Sequence, residues 1–165
     1  MSRTITVLLG IAFSAATIAQ VRPAYTLFNA KGKKIAHFDM LRTVRTGDII
    51  LFGEEHDDPI AHWLQLLVAQ DLAAQGPLIM GAEMVEADDQ AALDRYLRGE
   101  IDQAGLDTLA RLWKNHSTDY APLMDLAKEK QLAFVACNVP RRYARAVSKG
   151  GFAALDTVPP NEHTW

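Results

Sequence analysis

Gln75-Gly76-Pro77-Leu78-Ile79-Met80-Gly81-Ala82-Glu83 sets a helix stop directly in front of an apolar strand. Gly followed by Pro cannot carry a helix onward. The run 78–82 is uncharged and of strand length, which suits a strand covered on both faces, as in a parallel sheet. Upstream, residues 59–75 read as a helix with Pro59 in its first turn and Asp57 or Asp58 as its cap. Ile60, Trp63, Leu64, Leu67, Val68 and Leu72 recur at the helical period and predict one buried stripe. Ahead of that helix, Asp48-Ile49-Ile50-Leu51-Phe52 is a second continuous apolar run and predicts another strand.

Downstream, Asp88 opens a helix to Arg98 that Gly99 closes, and shorter helices follow near 102–114 and 119–130. Leu132-Ala133-Phe134-Val135-Ala136 predicts a third strand, and Pro140 leads into a basic helix over 141–149. Strands alternating with helices predict an α/β fold, a mostly parallel central sheet flanked by helices. Near the N-terminus, residues 25–29 and 34–37 flank Ala30-Lys31-Gly32-Lys33, which predicts a β-hairpin. Asp39 is expected to cap a short helix that ends at Thr46-Gly47.

The chain has 165 residues, a size for one globular domain, with 49% apolar and 22% charged residues, which excludes a disordered chain. A net charge of −3 gives no support for nucleic-acid binding, which usually shows a basic face. The lone Cys137 excludes an intramolecular disulfide and a Cys-rich zinc site, and is expected to pack as a small apolar residue. Arg3 followed by the apolar stretch 5–18, with Thr17 and Ala19 before a cut at Gln20, predicts a signal peptide over residues 1–19. The expected product is an exported protein of the periplasm or envelope, and Gln20 stands where a lipoprotein would carry cysteine.

Ligands of open parallel sheets bind beyond the carboxyl ends of the strands. The first predicted strand runs into Gly53-Glu54-Glu55-His56-Asp57-Asp58, with Gly53 allowing a sharp turn and close approach. The second strand ends in Glu83, and the third in Asn138 with Arg141 behind it. These ends bring carboxylates, an imidazole, an amide and a guanidinium to one edge. His56 suits a metal ligand or general base, and a flanking carboxylate either raises its basicity or completes a metal's shell. The alternative for Glu83 is a buried carboxylate paired with Arg141. His62 falls on the polar side of its helix, which reads as a surface histidine, with Gln65 on the same face. Tyr120 reads as a half-buried anchor at a helix start.

The ordered series Leu51-Phe52-Gly53-Glu54-Glu55-His56, His62, Gln65, Ala82-Glu83-Met84, Gln90, Leu93-Asp94, Tyr96-Leu97, Trp113, Tyr120-Ala121-Pro122-Leu123 and Asn138-Val139-Pro140-Arg141 resembles the ChaN-like family of haem-binding uptake proteins. That family lies within the wider Tiki superfamily, and the likeness spans roughly residues 35–155. The resemblance implies haem as cofactor and a role in haem or iron acquisition. It also implies a homodimer around haem and an outer-membrane haem receptor system as partner. It points to Tyr120 as iron ligand, since phenolate is a hard donor for ferric iron, with Arg141, Arg142 or His62 on the propionates.

The superfamily also includes metal-dependent hydrolases. Under that alternative a divalent transition metal would be held by His56, Glu54 and Glu83, and Glu54, Glu55, His56 and Glu83 would supply the catalytic groups. Only one Gly-x-x-His motif occurs in the chain, which weakens this reading more than the haem reading. Residues 20–165 are therefore expected to form a ChaN-like α/β domain that lacks the C-terminal part of the family architecture.

Overall fold

The computed structural model describes residues 23–159 and residue 162. The signal-peptide reading of residues 1–19 lies outside the described residues. β1 (Leu27–Phe28) and β2 (Lys34–Ile35) pair antiparallel. The Asn29 side chain accepts the Lys31 and Lys33 amides, and Gly32 takes the left-handed conformation that the turn requires, with φ +71°. This is the expected hairpin. α1 (His37–Val44) starts two residues earlier than its predicted cap. Asp39 therefore lies in the first turn, paired with Arg42 at 2.9 Å, where its charge suits the helix dipole.

α2 (Pro59–Ala73) begins where expected, with Asp58 accepting the Ile60 and Ala61 amides at 2.8 and 3.3 Å. Its buried side follows the predicted stripe except at Trp63. Val68 and Ala69 are buried together with His62, whereas Trp63 is exposed and meets Tyr25 edge-on. Ile60, Leu64, Leu67 and Leu72 of the stripe are half-buried, and His62 joins the buried side because it has polar partners inside that reward burial.

β3 (Ile79–Glu86) and β4 (Ala133–Asn138) form the parallel sheet, with Ile79 opposite Ala133 and Ala82 opposite Ala136. The register slips between Ala82 and Glu86, so that Glu86 faces Asn138. A 3₁₀ turn (Ala87–Asp89) leads into α3 (Gln90–Leu97), then α4 (Gln103–Leu109) capped by Asp102. A five-residue π turn (His116–Tyr120) precedes α5 (Ala121–Lys130). α6 (Arg141–Gly150) and a final 3₁₀ turn (Phe152–Thr157) follow β4. Among the described residues no helix is long and apolar enough to cross a membrane.

Ala82, Met84, Phe134 and Ala136 turn from the sheet into a core completed by Leu93 and Tyr96 of α3, Leu106 of α4, and Met124 and Ala127 of α5. Gln90 extends the sheet by side chain. Its Oε1 accepts the Ala136 amide at 2.7 Å and its Nε2 donates to the Phe134 carbonyl at 2.9 Å, the two bonds a further strand would make on the outer edge of β4. On the opposite face Ile79, Glu83, Val135 and Cys137 are exposed. Cys137 is thus a free surface thiol rather than a packed apolar residue, because its place in β4 points away from the core.

The largest departure concerns residues 48–52. They form no strand, and Ile49 and Leu51 are 81% and 92% exposed. A continuous apolar run states a demand for burial, but a strand also needs a neighbour to take its hydrogen bonds. No described strand pairs with this run.

Candidate functional site

Three segments converge on Glu54: the loop 53–58, the first turns of α2, and the π turn. The Asp58 cap fixes where the loop enters α2, and Glu54 turns inward to 12% side-chain exposure. Glu55, its neighbour, is exposed, so the two adjacent carboxylates divide between interior and solvent. Gly53 lies outside the left-handed region and has open space where a Cβ would stand. The tight turn and close approach expected of it are not needed here.

Glu54 accepts on both oxygens. The Tyr120 hydroxyl donates to Oε1 at 2.7 Å, and His56 Nδ1 lies 3.2 Å from the same atom. Gln65 Nε2 donates to Oε2, with His62 Nδ1 at 3.3 Å from it. Burial acts to raise the Glu54 pKa, but the bonds from Tyr120, Gln65 and His56 and the nearby His62 ring outweigh it. The carboxyl is held below its ordinary value. The Tyr120 ring is 1% exposed; burial and the facing Glu54 carboxylate push its phenol well above the usual range.

His62 is buried, with acceptors at both ring nitrogens. Nδ1 faces Glu54 Oε2 and, at 3.2 Å, Gln65 Oε1, while Nε2 lies 3.1 Å from the His56 carbonyl and 3.8 Å from Asp119 Oδ2. Its placement on a polar surface is therefore corrected. Asn115 fastens the loop from the other side, donating at 2.7 Å to the His56 carbonyl and to Asp119 Oδ2. Rings pack edge-on around the cluster: His56 on Trp113 at 4.9 Å, His62 on Tyr120 at 4.8 Å and Trp113 on Tyr120 at 5.7 Å.

The remaining predicted residues make their contacts apart from this cluster. Glu83 is exposed in mid-strand, because β3 continues through the register slip to Glu86. The buried carboxylate at the strand end is Glu86, 2% exposed, and it takes the Arg141 pairing expected for Glu83. Its Oε2 accepts the Arg141 amide at 2.7 Å, and its Oε1 lies 3.5 and 3.4 Å from the Nε atoms of Arg141 and Arg111. Arg142 pairs with Asp88 and Glu162 and lies over the Tyr143 ring. Neither arginine shares a hydrogen bond or ion pair with the Glu54 cluster among the described residues.

Glu86, Asn115 and Asp119 were not singled out by sequence reasoning. The only signal for the last two was their polar i, i+4 spacing before an apolar helix. Among the described residues no three or more His, Cys, Asp or Glu side chains are arranged to hold a metal ion. His56 and His62 approach opposite oxygens of Glu54 through Nδ1 at hydrogen-bond distance, and Glu83 is absent from the group. The donor set of the hydrolase alternative is therefore not assembled.

A second polar cluster lies between the helices. The Tyr96 hydroxyl donates to Asp125, and Lys128 sits 4.1 Å over the Tyr96 ring. His116, 4% exposed, has no hydrogen-bond partner at either ring nitrogen among the described residues. Burial lowers its pKa, against the opposing pull of Asp107 and Asp125.

Comparison with known proteins gives the family and the fold. The model of the family described as haem-binding uptake, Tiki superfamily, ChaN, matches residues 40–165. A solved structure of ChaN from Campylobacter jejuni, described as showing cofacial haem binding, superposes with a TM-score of 0.62 at 23% identity. The match covers 76% of this chain and 52% of that one, so the chain spans about half the length of that relative. At this identity the likeness establishes the fold. No curated protein matches the chain.

Proposed function

Because the chain belongs to the ChaN family of haem-binding uptake proteins in the Tiki superfamily, we propose that it is an exported haem-binding protein of the bacterial envelope that serves haem or iron acquisition. The observation that carries this reading is the family match itself. It runs from residue 40 to residue 165 and so includes the Glu54 loop, α2 and the π turn. Haem is here the cargo.

A site for haem needs a donor for iron, apolar surface for the macrocycle and cationic groups for the propionates. This chain has the means for each. Imidazole and phenol groups meet at Glu54. Ile49 and Leu51 expose apolar surface a few residues before it. Arg141 and Arg142 have half-exposed guanidinium groups suited to propionates, although Glu86, Asp88 and Glu162 now hold them. His62 is the weakest propionate candidate, because both ring nitrogens already face acceptors inside.

The cofacial mode described for the Campylobacter jejuni protein extends here as a homodimer closed around haem, with an outer-membrane haem receptor system as the further partner. Arg3 and the apolar stretch before Gln20 support export. Ferric haem titration of the purified protein, followed at the Soret band in separated monomer and dimer fractions, tests the reading. The expected result is a saturable Soret shift accompanied by dimer. No shift in either fraction would overturn it. N-terminal sequencing of the periplasmic protein is expected to begin at Gln20, and an intact Met1 would refute export by cleavage.

A further inference from the structure

We propose that α6 is the surface by which the protein docks on an anionic lipid membrane, through a cationic stripe centred on Arg145 and Lys149. The helix carries Arg141, Arg142, Arg145 and Lys149 and no acidic residue, in a chain whose net charge is −3. At 3.6 residues per turn these positions fall within about 100° of one another around the axis. All four residues are exposed. Tyr143, the buried residue of α6, lies about 150° from the middle of that arc. The helix thus turns its tyrosine to the core and its cations to solvent.

The carboxylates that pair with α6 among the described residues all meet its first turn. Glu86 lies between Arg141 and Arg111, and Asp88 and Glu162 hold Arg142. Arg145 and Lys149 form no ion pair among the described residues. Helix stability does not account for the Arg145 charge. Arg141 stands four residues before it and Lys149 four after, and like charges at that spacing work against a helix. An anionic surface laid along the stripe would relieve both repulsions at once.

A plane of phosphate headgroups can meet every cation of a straight stripe together. It also admits apolar side chains. Phe152, just past the helix, is 80% exposed, and Val139, just before it, is 44% exposed. A polyacidic protein segment would neutralise the stripe but would offer Phe152 no hydrocarbon to enter. Within the fold α6 packs chiefly against the 3₁₀ turn Phe152–Thr157, so helix and turn form a peripheral unit. Docking here needs no haem, and neither Arg145 nor Lys149 has a part in the haem site proposed above.

The test is sedimentation of the purified protein with vesicles of phosphatidylcholine alone or mixed with phosphatidylglycerol. Wild type is compared with the double variant Arg145→Gln, Lys149→Gln and with Phe152→Ser. Wild type is expected to prefer the anionic vesicles and to lose that preference at about 1 M salt, where charges are screened beyond about 3 Å. Each cation near an anionic surface contributes a factor of about five, so the double variant should bind about thirtyfold more weakly. Phe152→Ser should weaken binding by about tenfold. Circular dichroism of all variants is expected to match wild type, because the three positions are exposed. Equal sedimentation of wild type and the double variant overturns the proposal, as does a wild type with no preference for anionic vesicles. Retention on immobilised polyglutamate without vesicle binding would assign the stripe to an acidic protein and overturn the lipid reading.

Discussion

Replacing Gln90 with alanine removes the amide that stands in for a strand on the outer edge of β4. In the wild-type protein the Ala136 N–H donates to Gln90 Oε1 and the Phe134 C=O accepts from Gln90 Nε2, and both β4 residues are buried. Alanine leaves one donor and one acceptor without partners. Each such group costs about 1–3 kcal/mol when left unsatisfied. Water reaching a strand edge recovers part of that, so a net loss of about 2–4 kcal/mol is expected. For a domain of this size that lowers Tm by roughly 6–12 °C.

Urea unfolding is the assay, with an unchanged m-value required so that the midpoint shift reports stability. Hydrogen exchange adds a local readout, since the Ala136 amide should lose protection selectively. Gln90→Glu sharpens the reasoning: it keeps an acceptor for Ala136 but loses the donor to Phe134, and faces that carbonyl with a carboxylate. It should also destabilise, while better preserving protection at Ala136. If Gln90→Ala stays within about 0.5 kcal/mol of wild type, the range of an ordinary surface change, the amide is not holding this edge and the argument fails.

Three further outcomes follow from the geometry. His116 has a lowered folded-state pKa, so below its unfolded value near 6.5 the unfolded chain binds more protons, and stability falls as pH drops from 6.5 toward the folded pKa. Urea midpoints at pH 7.5 and 5 should diverge less in His116→Phe than in wild type, and equal divergence would refute the role of this ring. Asp58→Ala removes the side-chain cap from α2 and should cost about 1 kcal/mol in chemical denaturation; no loss would show that the cap contributes nothing. A Cβ at Gly81 would stand 2.9 Å from Cys137 Sγ, so Gly81→Ala should be less destabilising when combined with Cys137→Ala. Strict additivity in the double-mutant cycle would refute that contact.

Local chemistry carried much of the fold into the sequence. Asp58 and Pro59 announce the start of α2 because the orphan amides of a first turn need an acceptor, or no N–H at all. Gly32 marks the hairpin because its turn needs a positive φ. The parallel sheet was legible from uncharged runs alternating with helices. What failed depended on partners distant in sequence. Residues 48–52 carry the apolarity of an interior strand without a strand among the described residues to pair with. Glu83 looked terminal only because the slip that extends β3 to Glu86 leaves no local signature.

The candidate site was half legible. Glu54, His56 and Gln65 could be named from the loop and helix face they share. The inward turn of His62 was hidden, because its rewards come from Glu54, the His56 carbonyl and Asp119 rather than from its own helix. Cys137 was misjudged for a similar reason, since the face it takes on β4 is decided by the sheet and not by the residue.

The wide turn at 116–120 has a consequence for chain length. The Ala121 N–H reaches back five residues to the His116 carbonyl, one more than an α-helix spans. In an uninterrupted α-helix, Asn115 and Tyr120 would point about 140° apart. Here Asn115 bonds the His56 carbonyl while Tyr120 bonds Glu54, two residues apart in the loop. Shortening this turn by a single residue would leave those side chains in the sequence yet set them at the wrong relative angle. The site is thus encoded by a residue count as well as by residue chemistry, and a one-residue gap would disturb it more than many substitutions.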